Sequence, residues 1–100
     1  MIEVREYTTE AGQSPFGKWF ARLNASAAAK VTTALERITQ GNFSNVKALG
    51  AGVSEYKIDF GPGYRIYFGK DGDMLVILVA GGSKKGQSHD VEIAKANWAD

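Results

Sequence analysis

The segment Gly81-Gly82-Ser83-Lys84-Lys85-Gly86-Gln87-Ser88 leaves an apolar stretch and enters a helical pattern. It nearly matches the phosphate loop G-x-x-x-x-G-K-[ST], with Gly81, Gly86 and Ser88 in place. Gln87 stands where the lysine must reach the β- and γ-phosphates, and no parallel βαβ unit is predicted around it. Nucleotide hydrolysis is therefore rejected. A weaker chemistry survives. Free amides at a helix N-terminus favour anions, Lys84 and Lys85 add positive charge, and paired glycines let backbone approach a ligand closely. The expectation is a site for phosphate oxygens; the plain alternative is a glycine loop with solvated lysines.

A second pattern flanks Gly61-Pro62-Gly63. Pairing Phe60 with Tyr64 across the turn fixes a register at two-residue intervals. Tyr56, Ile58, Phe60, Tyr64, Ile66 and Phe68 then share an apolar face. Glu55, Lys57, Asp59, Arg65 and Tyr67 share the other, with Asp59 opposite Arg65 and Lys57 opposite Tyr67. Two acids, two bases and a phenol on one sheet face suggest function. The same pattern also describes a solvated outer face with cross-strand ion pairs, which half-exposed antiparallel sheets commonly show. His89, the lone histidine, precedes Asp90 and reads as a surface residue. Trp19 and Trp98 read as core aromatics. No Ser/His/Asp motif and no close carboxylate pair stands out.

These residues need elements to hold them. Residues 2–7 alternate Ile2 and Val4 against Glu3 and Arg5, a short strand pattern. Ser14-Pro15 is a helix start, since serine caps free amides and proline fits the first helical position. Phe16, Trp19, Phe20 and Leu23 follow on one face. Asn24 ends that helix and caps a second, about residues 25–40, with a stripe through Ala27, Ala28, Val31, Ala34, Leu35 and Ile38. Both stripes read as core packing in a helical hairpin. Strands follow at Val53–Phe60, Tyr64–Gly69 and Met74–Ala80, the last two joined by an Asp-Gly turn in Lys70-Asp71-Gly72-Asp73. A final helix, about 87–98, carries Val91, Ala94 and Trp98 on one face. The predicted class is α+β: strand, two helices, three-stranded antiparallel meander, helix.

Composition limits what this arrangement can be. One hundred residues make one domain, 1–100, with a single modest core. Hydrophobic residues at 44% and charged residues at 23% are those of an ordinary globule and argue against a disordered chain. With no cysteine and one histidine, a disulfide scaffold, a thiolate nucleophile and a Cys- or His-rich metal site are excluded, and no cofactor is expected. No apolar run spans a bilayer and the start has no signal-peptide h-region, so a cytoplasmic location and no membrane partner are expected. A net charge of +1 neither favours nor excludes nucleic acid.

The run Glu55-Tyr56-Lys57-Ile58-Asp59-Phe60-Gly61-Pro62-Gly63-Tyr64-Arg65-Ile66-Tyr67-Phe68, with Gly81-Gly82-Ser83-Lys84-Lys85-Gly86-Gln87 and Asp90-Val91, resembles the addiction-module killer proteins. These form a HigB-like branch of the RelE/ParE toxin superfamily. Ser14-Pro15-Phe16 through Trp19, Gly41-Asn42-Phe43 and Lys47-Ala48-Leu49-Gly50 fit the same pattern, so the resemblance covers nearly the whole chain. It departs at Tyr56, Lys57, Ala80 and Ser83, where the family more often has leucine, arginine, cysteine and aspartate. The resemblance implies a RelE-like fold and a type II toxin, paired with a small antitoxin that often carries a helix-turn-helix DNA-binding domain. DNA is then touched only through the antitoxin.

The resemblance also implies metal-independent cleavage of mRNA on the translating ribosome. A ribose 2′-OH attacks its own neighbouring phosphate, so the enzyme aligns it, moves protons and stabilises charge. Carried onto this chain, Arg65 stabilises the phosphate or transition state, and Lys57 accepts a proton or adds a second cation. Lys84 and Lys85 contact backbone phosphate, with Lys84 also a third catalytic cation; Tyr67 and Glu55 transfer protons or orient. On that reading, Arg65→Ala abolishes growth arrest in a chain that stays folded. Two other readings fit the same residues: a ParE-like toxin that binds DNA gyrase, and a non-catalytic fold member that only binds an antitoxin.

Overall fold

A computed structural model describes residues 2–83 and 87–100. The elements in chain order are β1 (Glu3–Glu6), α1 (Pro15–Ala21), α2 (Ala25–Thr39), β2 (Val46–Gly50), β3 (Val53–Ile58), β4 (Tyr64–Asp71), β5 (Leu75–Ser83) and α3 (Gln87–Ala99). The strands form one five-stranded mixed sheet, ordered β1-β5-β4-β3-β2. β2 to β5 run as an antiparallel meander, and β1 joins β5 in parallel. This is the expected α+β order with one extra strand, and it is consistent with RelE-like topology.

Both predicted helix starts are formed. The Ser14 hydroxyl accepts the Gly17 N–H at 2.9 Å with Pro15 opening α1, and the Asn24 side chain accepts the Ala27 N–H at 2.9 Å to open α2. Phe16 and Trp19 of α1 and Val31, Ala34 and Ile38 of α2 pack on Tyr56, Ile58, Ile66, Phe68, Val76 and Leu78. The apolar face of the hairpin is thus the core face. Each large side chain buried there contributes roughly 1.5–3 kcal/mol before its entropy is counted.

Three details correct the sequence reading. β2 is an additional strand, turned into β3 through Ala51 and Gly52, whose φ values of 55° and 81° suit a two-residue hairpin turn. Across Gly61-Pro62-Gly63, Ile58 rather than Phe60 pairs with Tyr64. Residues 59–63 form the loop, closed by the Gly63 N–H donating to the Phe60 carbonyl at 3.0 Å. The shift is an even two residues, so each side chain keeps its face while its partner changes. Lys57 now faces Arg65, and Glu55 faces Tyr67. The next loop is Gly72 to Met74, closed where Asp71 pairs with Leu75, so Met74 is exposed at 59% instead of opening a buried strand.

The largest correction concerns the second face of the sheet. It is not a solvated outer face, because α3 lies on it. Val91, Ala94 and Trp98 of α3, the predicted apolar stripe, pack with Val53, Tyr67, Val79 and Ala80. A bulge at Val79 interrupts the β4–β5 ladder between Tyr67 and Phe68. The Asn97 amide of α3 donates to the Val79 carbonyl at 2.8 Å. Glu55, Arg65 and Tyr67 are buried as a result, whereas Lys57 and Asp59 remain exposed. Among the described residues, no helix is long and apolar enough to cross a membrane.

Candidate functional site

Three adjacent strands build the site. β3 supplies Glu55 and Lys57, β4 supplies Arg65 and Tyr67, and β5 supplies Gly82 opposite Arg65. Because Glu55 faces Tyr67, it lies diagonally from Arg65 on the same face, within reach of a long side chain. Arg65 Nε stands 3.3 Å from Glu55 Oε2, and the two residues are only 6% and 4% exposed. α3 closes the cluster through its first turn. A Cβ at Gly82 would overlap the Asp90 carboxylate, so this position must stay bare for Asp90 to sit there.

The cluster holds more polar groups than it satisfies. Arg65 Nε and Nη1, Glu55 Oε2 and the Tyr67 hydroxyl are buried with no hydrogen-bond partner among the described residues. Such groups are rare in folded proteins, and each costs about 1–3 kcal/mol when left unpaired. A guanidinium with a free N–H group, fixed in a low-dielectric setting, can donate to an anion such as a phosphate oxygen. Burial pushes the Tyr67 phenol up to about 12, helped by the charges of Asp90 and Glu55 and opposed by Arg65. The phenol therefore stays protonated and can donate. Burial also raises the Asp90 carboxyl, against the pull of His89.

The predicted site residues divide accordingly. Glu55, Arg65 and Tyr67 come together inside the molecule. Lys57 is beside them in register and open to solvent; Asp59 is likewise exposed. Lys84 and Lys85, with Gly86, lie outside the described residues. The glycine pair before them takes side chains: the Trp19 ring covers Gly81 from the α1 side, and Asp90 covers Gly82 from the α3 side. Sequence reasoning missed Asp90 and Asn97 as parts of this face. A carboxylate and an amide on a helix carry no periodic signal of burial. Among the described residues, no group of three or more His, Cys, Asp or Glu could hold a metal ion.

One consequence is testable on Tyr67 alone. Tyr67→Phe removes an unpaired buried hydroxyl and should raise stability by about 1 kcal/mol. The phenol's pKa is raised in the fold from 10.0, so its contribution is complete below pH 10.0 and is lost as pH rises toward about 12. Urea denaturation across alkaline pH should show wild type losing stability relative to Tyr67→Phe in that window. A constant difference would mean that the hydroxyl is hydrated.

No family model matches this sequence. An uncharacterized protein of Haemophilus influenzae is 40% identical over 81 residues, which are 80% of this chain and 82% of that one. The identity spans most of both chains, and on that ground the chain belongs to the family of this Haemophilus influenzae protein.

Proposed function

We propose that this chain is a toxin of a type II toxin–antitoxin system, in the HigB-like branch of the RelE/ParE superfamily, and a metal-independent endoribonuclease of mRNA on the translating ribosome. One observation carries the reading: Arg65 is a sheet-held guanidinium whose Nη1 is buried without a hydrogen-bond partner among the described residues, and the exposed Lys57 stands next to it. In-line attack of a 2′-OH on its neighbouring phosphate needs alignment, proton transfer and charge stabilisation. Arg65 supplies the last. Lys57 is the accessible proton acceptor or second cation, and Lys84 and Lys85 are phosphate contacts. Glu55 holds Arg65, and Tyr67, with its raised pKa, orients as a donor. Phosphate reaches Arg65 once the first turn of α3 yields. The partners are a cognate antitoxin, with DNA touched only through it, and the ribosome with its mRNA; the location is the cytoplasm.

The burial of Arg65 and Glu55 favours a second reading, a non-catalytic fold member in which the pair is structural. Induced expression in bacteria, with parallel pulse labelling of protein, DNA and RNA synthesis, separates the readings. An early fall in protein synthesis with DNA synthesis spared is expected. Lys57 is exposed, so Lys57→Ala should keep its fold yet lower mRNA cleavage by about 100-fold or more. An early fall in DNA synthesis would replace the nuclease with a gyrase-binding toxin. Undisturbed growth would leave the non-catalytic reading.

A further inference from the structure

A cavity of about 250 Å³ lies between α2 and the end of β3. Lys30, Thr33 and Arg37 line it from the helix, and Lys57 of β3 with the flanking loop residues Asn45 and Asp59 line it from the other side. It exists because β2 stops short of β3. The last pair is Val46 with Tyr56, after which the Asn45 carbonyl accepts the Lys57 N–H at 3.1 Å and β3 continues with an open edge. A second depression, lined by Asn45, Lys57 and Asp59, continues from it. Lys57, on that open edge, belongs to both, and it pairs with Arg65 on the sheet face opposite α2, so a chain lying in the groove reaches the Arg65 face round the edge of β3.

The charge around this groove is unbalanced. Lys30, Arg37 and Lys57 face a single acid, Asp59. Among the described residues, the ion pairs are Arg5 with Glu3 and Arg65 with Glu55, so none of the three cations is neutralised by pairing. Lys30 rests over the Phe60 ring, 5.4 Å from its centre, which holds the ammonium at the groove. Converging cations repel one another, and a polyanion in the groove relieves that repulsion. Lys30 and Arg37 are two helical turns apart, about 10 Å along the axis, too far for one phosphate to serve both.

We propose that this α2–β3 groove carries the phosphodiester backbone of single-stranded RNA beside the Arg65 site, with Lys30 and Arg37 each holding a separate phosphate. The proposal rests on the endoribonuclease reading and adds the path of its substrate. Lys57 is the junction: its ammonium serves the reacting phosphate, and Lys30 and Arg37 serve nucleotides beyond it.

The test is fluorescence anisotropy with a short single-stranded 2′-O-methyl oligoribonucleotide, which cannot be cleaved, titrated over a range of salt. Lys30→Gln with Arg37→Gln should weaken binding about tenfold or more at physiological salt and flatten the salt slope by about 1.4, or 0.7 per lost contact. Both side chains are exposed, so the fold should survive, which a melting curve checks. Lys30→Arg should bind as wild type. Equal affinity and slope in the double variant, with Lys57→Ala still weakened, would overturn the groove and leave the nuclease standing. Wild-type protein that neither binds the oligonucleotide nor cleaves mRNA on translating ribosomes would overturn both. Equal competition by an acidic polypeptide would also overturn the proposal, because the groove would then not be reading a nucleic-acid backbone.

Discussion

Arg65→Ala should lose about 3–5 kcal/mol of stability, read from urea denaturation near neutral pH. The loss comes from the partner left behind. Glu55 is 4% exposed, and its Oε2 has Arg65 as its nearby cation. Without the guanidinium, a carboxylate stays in a dry site with nothing to balance it. Adding Glu55→Gln to Arg65→Ala should therefore return a large part of the loss, and the double-mutant cycle should show coupling of more than about 1 kcal/mol. A loss below about 1 kcal/mol in Arg65→Ala would mean that the pair is solvated. For a domain whose total stability is about 5–15 kcal/mol, the expected loss is a large share. This changes the meaning of a toxicity assay. Read from the sequence, Arg65→Ala is a clean probe of chemistry; with Arg65 buried, its loss of activity mixes chemistry with unfolding. The exposed Lys57 is the cleaner probe.

Trp19→Ala should cost a similar amount, about 3–5 kcal/mol. The indole is 8% exposed, lies 5.6 Å from the Phe16 ring and meets Tyr64 edge-on at 6.3 Å. It stands on Gly81, where any Cβ would overlap the ring. Gly81→Ala should therefore cost about 1–3 kcal/mol by itself, from overpacking. In a Trp19→Ala background the added methyl falls into the space the ring has left, and its cost should nearly vanish. Equilibrium unfolding of the two single variants and the double variant checks this. Additive losses would show that the ring and the glycine do not share the space.

Much of the fold was legible because several local signals agreed. Ser14-Pro15 and Asn24 fixed the starts of α1 and α2, and helical spacing fixed their buried faces. The hairpin's two-residue period fixed which side chains share a face, even though its register was two residues off. That error lay in the loop: Gly61-Pro62-Gly63 with Asp59 and Phe60 makes a wider turn than the shortest pairing allows. β2 escaped notice because Val46-Lys47-Ala48-Leu49-Gly50 is a short edge strand with weak alternation, although Gly50-Ala51-Gly52 did carry a turn signal.

The candidate site was legible as a set but not in its surroundings. Glu55, Lys57, Arg65 and Tyr67 were placed on one face from spacing alone. Nothing in that spacing says that the face is covered. α3 covers it with a sparse stripe, Val91, Ala94 and Trp98, supplemented by Asp90 over Gly82 and by Asn97 on the Val79 carbonyl. Polar side chains that dock a helix look in sequence like polar side chains that face water. The difference between a solvated ion pair and a buried one depends on a distant segment, and the local pattern does not contain it.

The parallel pairing of β1 with β5 has a bearing on how the molecule is made. Glu3 is aligned with Leu75, and Glu6 with Leu78, so the opening strand waits for the last one. During synthesis β1 leaves the ribosome first and has no sheet to join. The helical hairpin and the β2–β3–β4 pairings are local and can form early; the β1 pairing, like the seating of Trp19 on Gly81, joins distant parts of the chain and must close a long loop. The molecule should therefore fold with a late step, the docking of its N-terminal strand, and its nascent chains should stay incomplete until β5 has emerged.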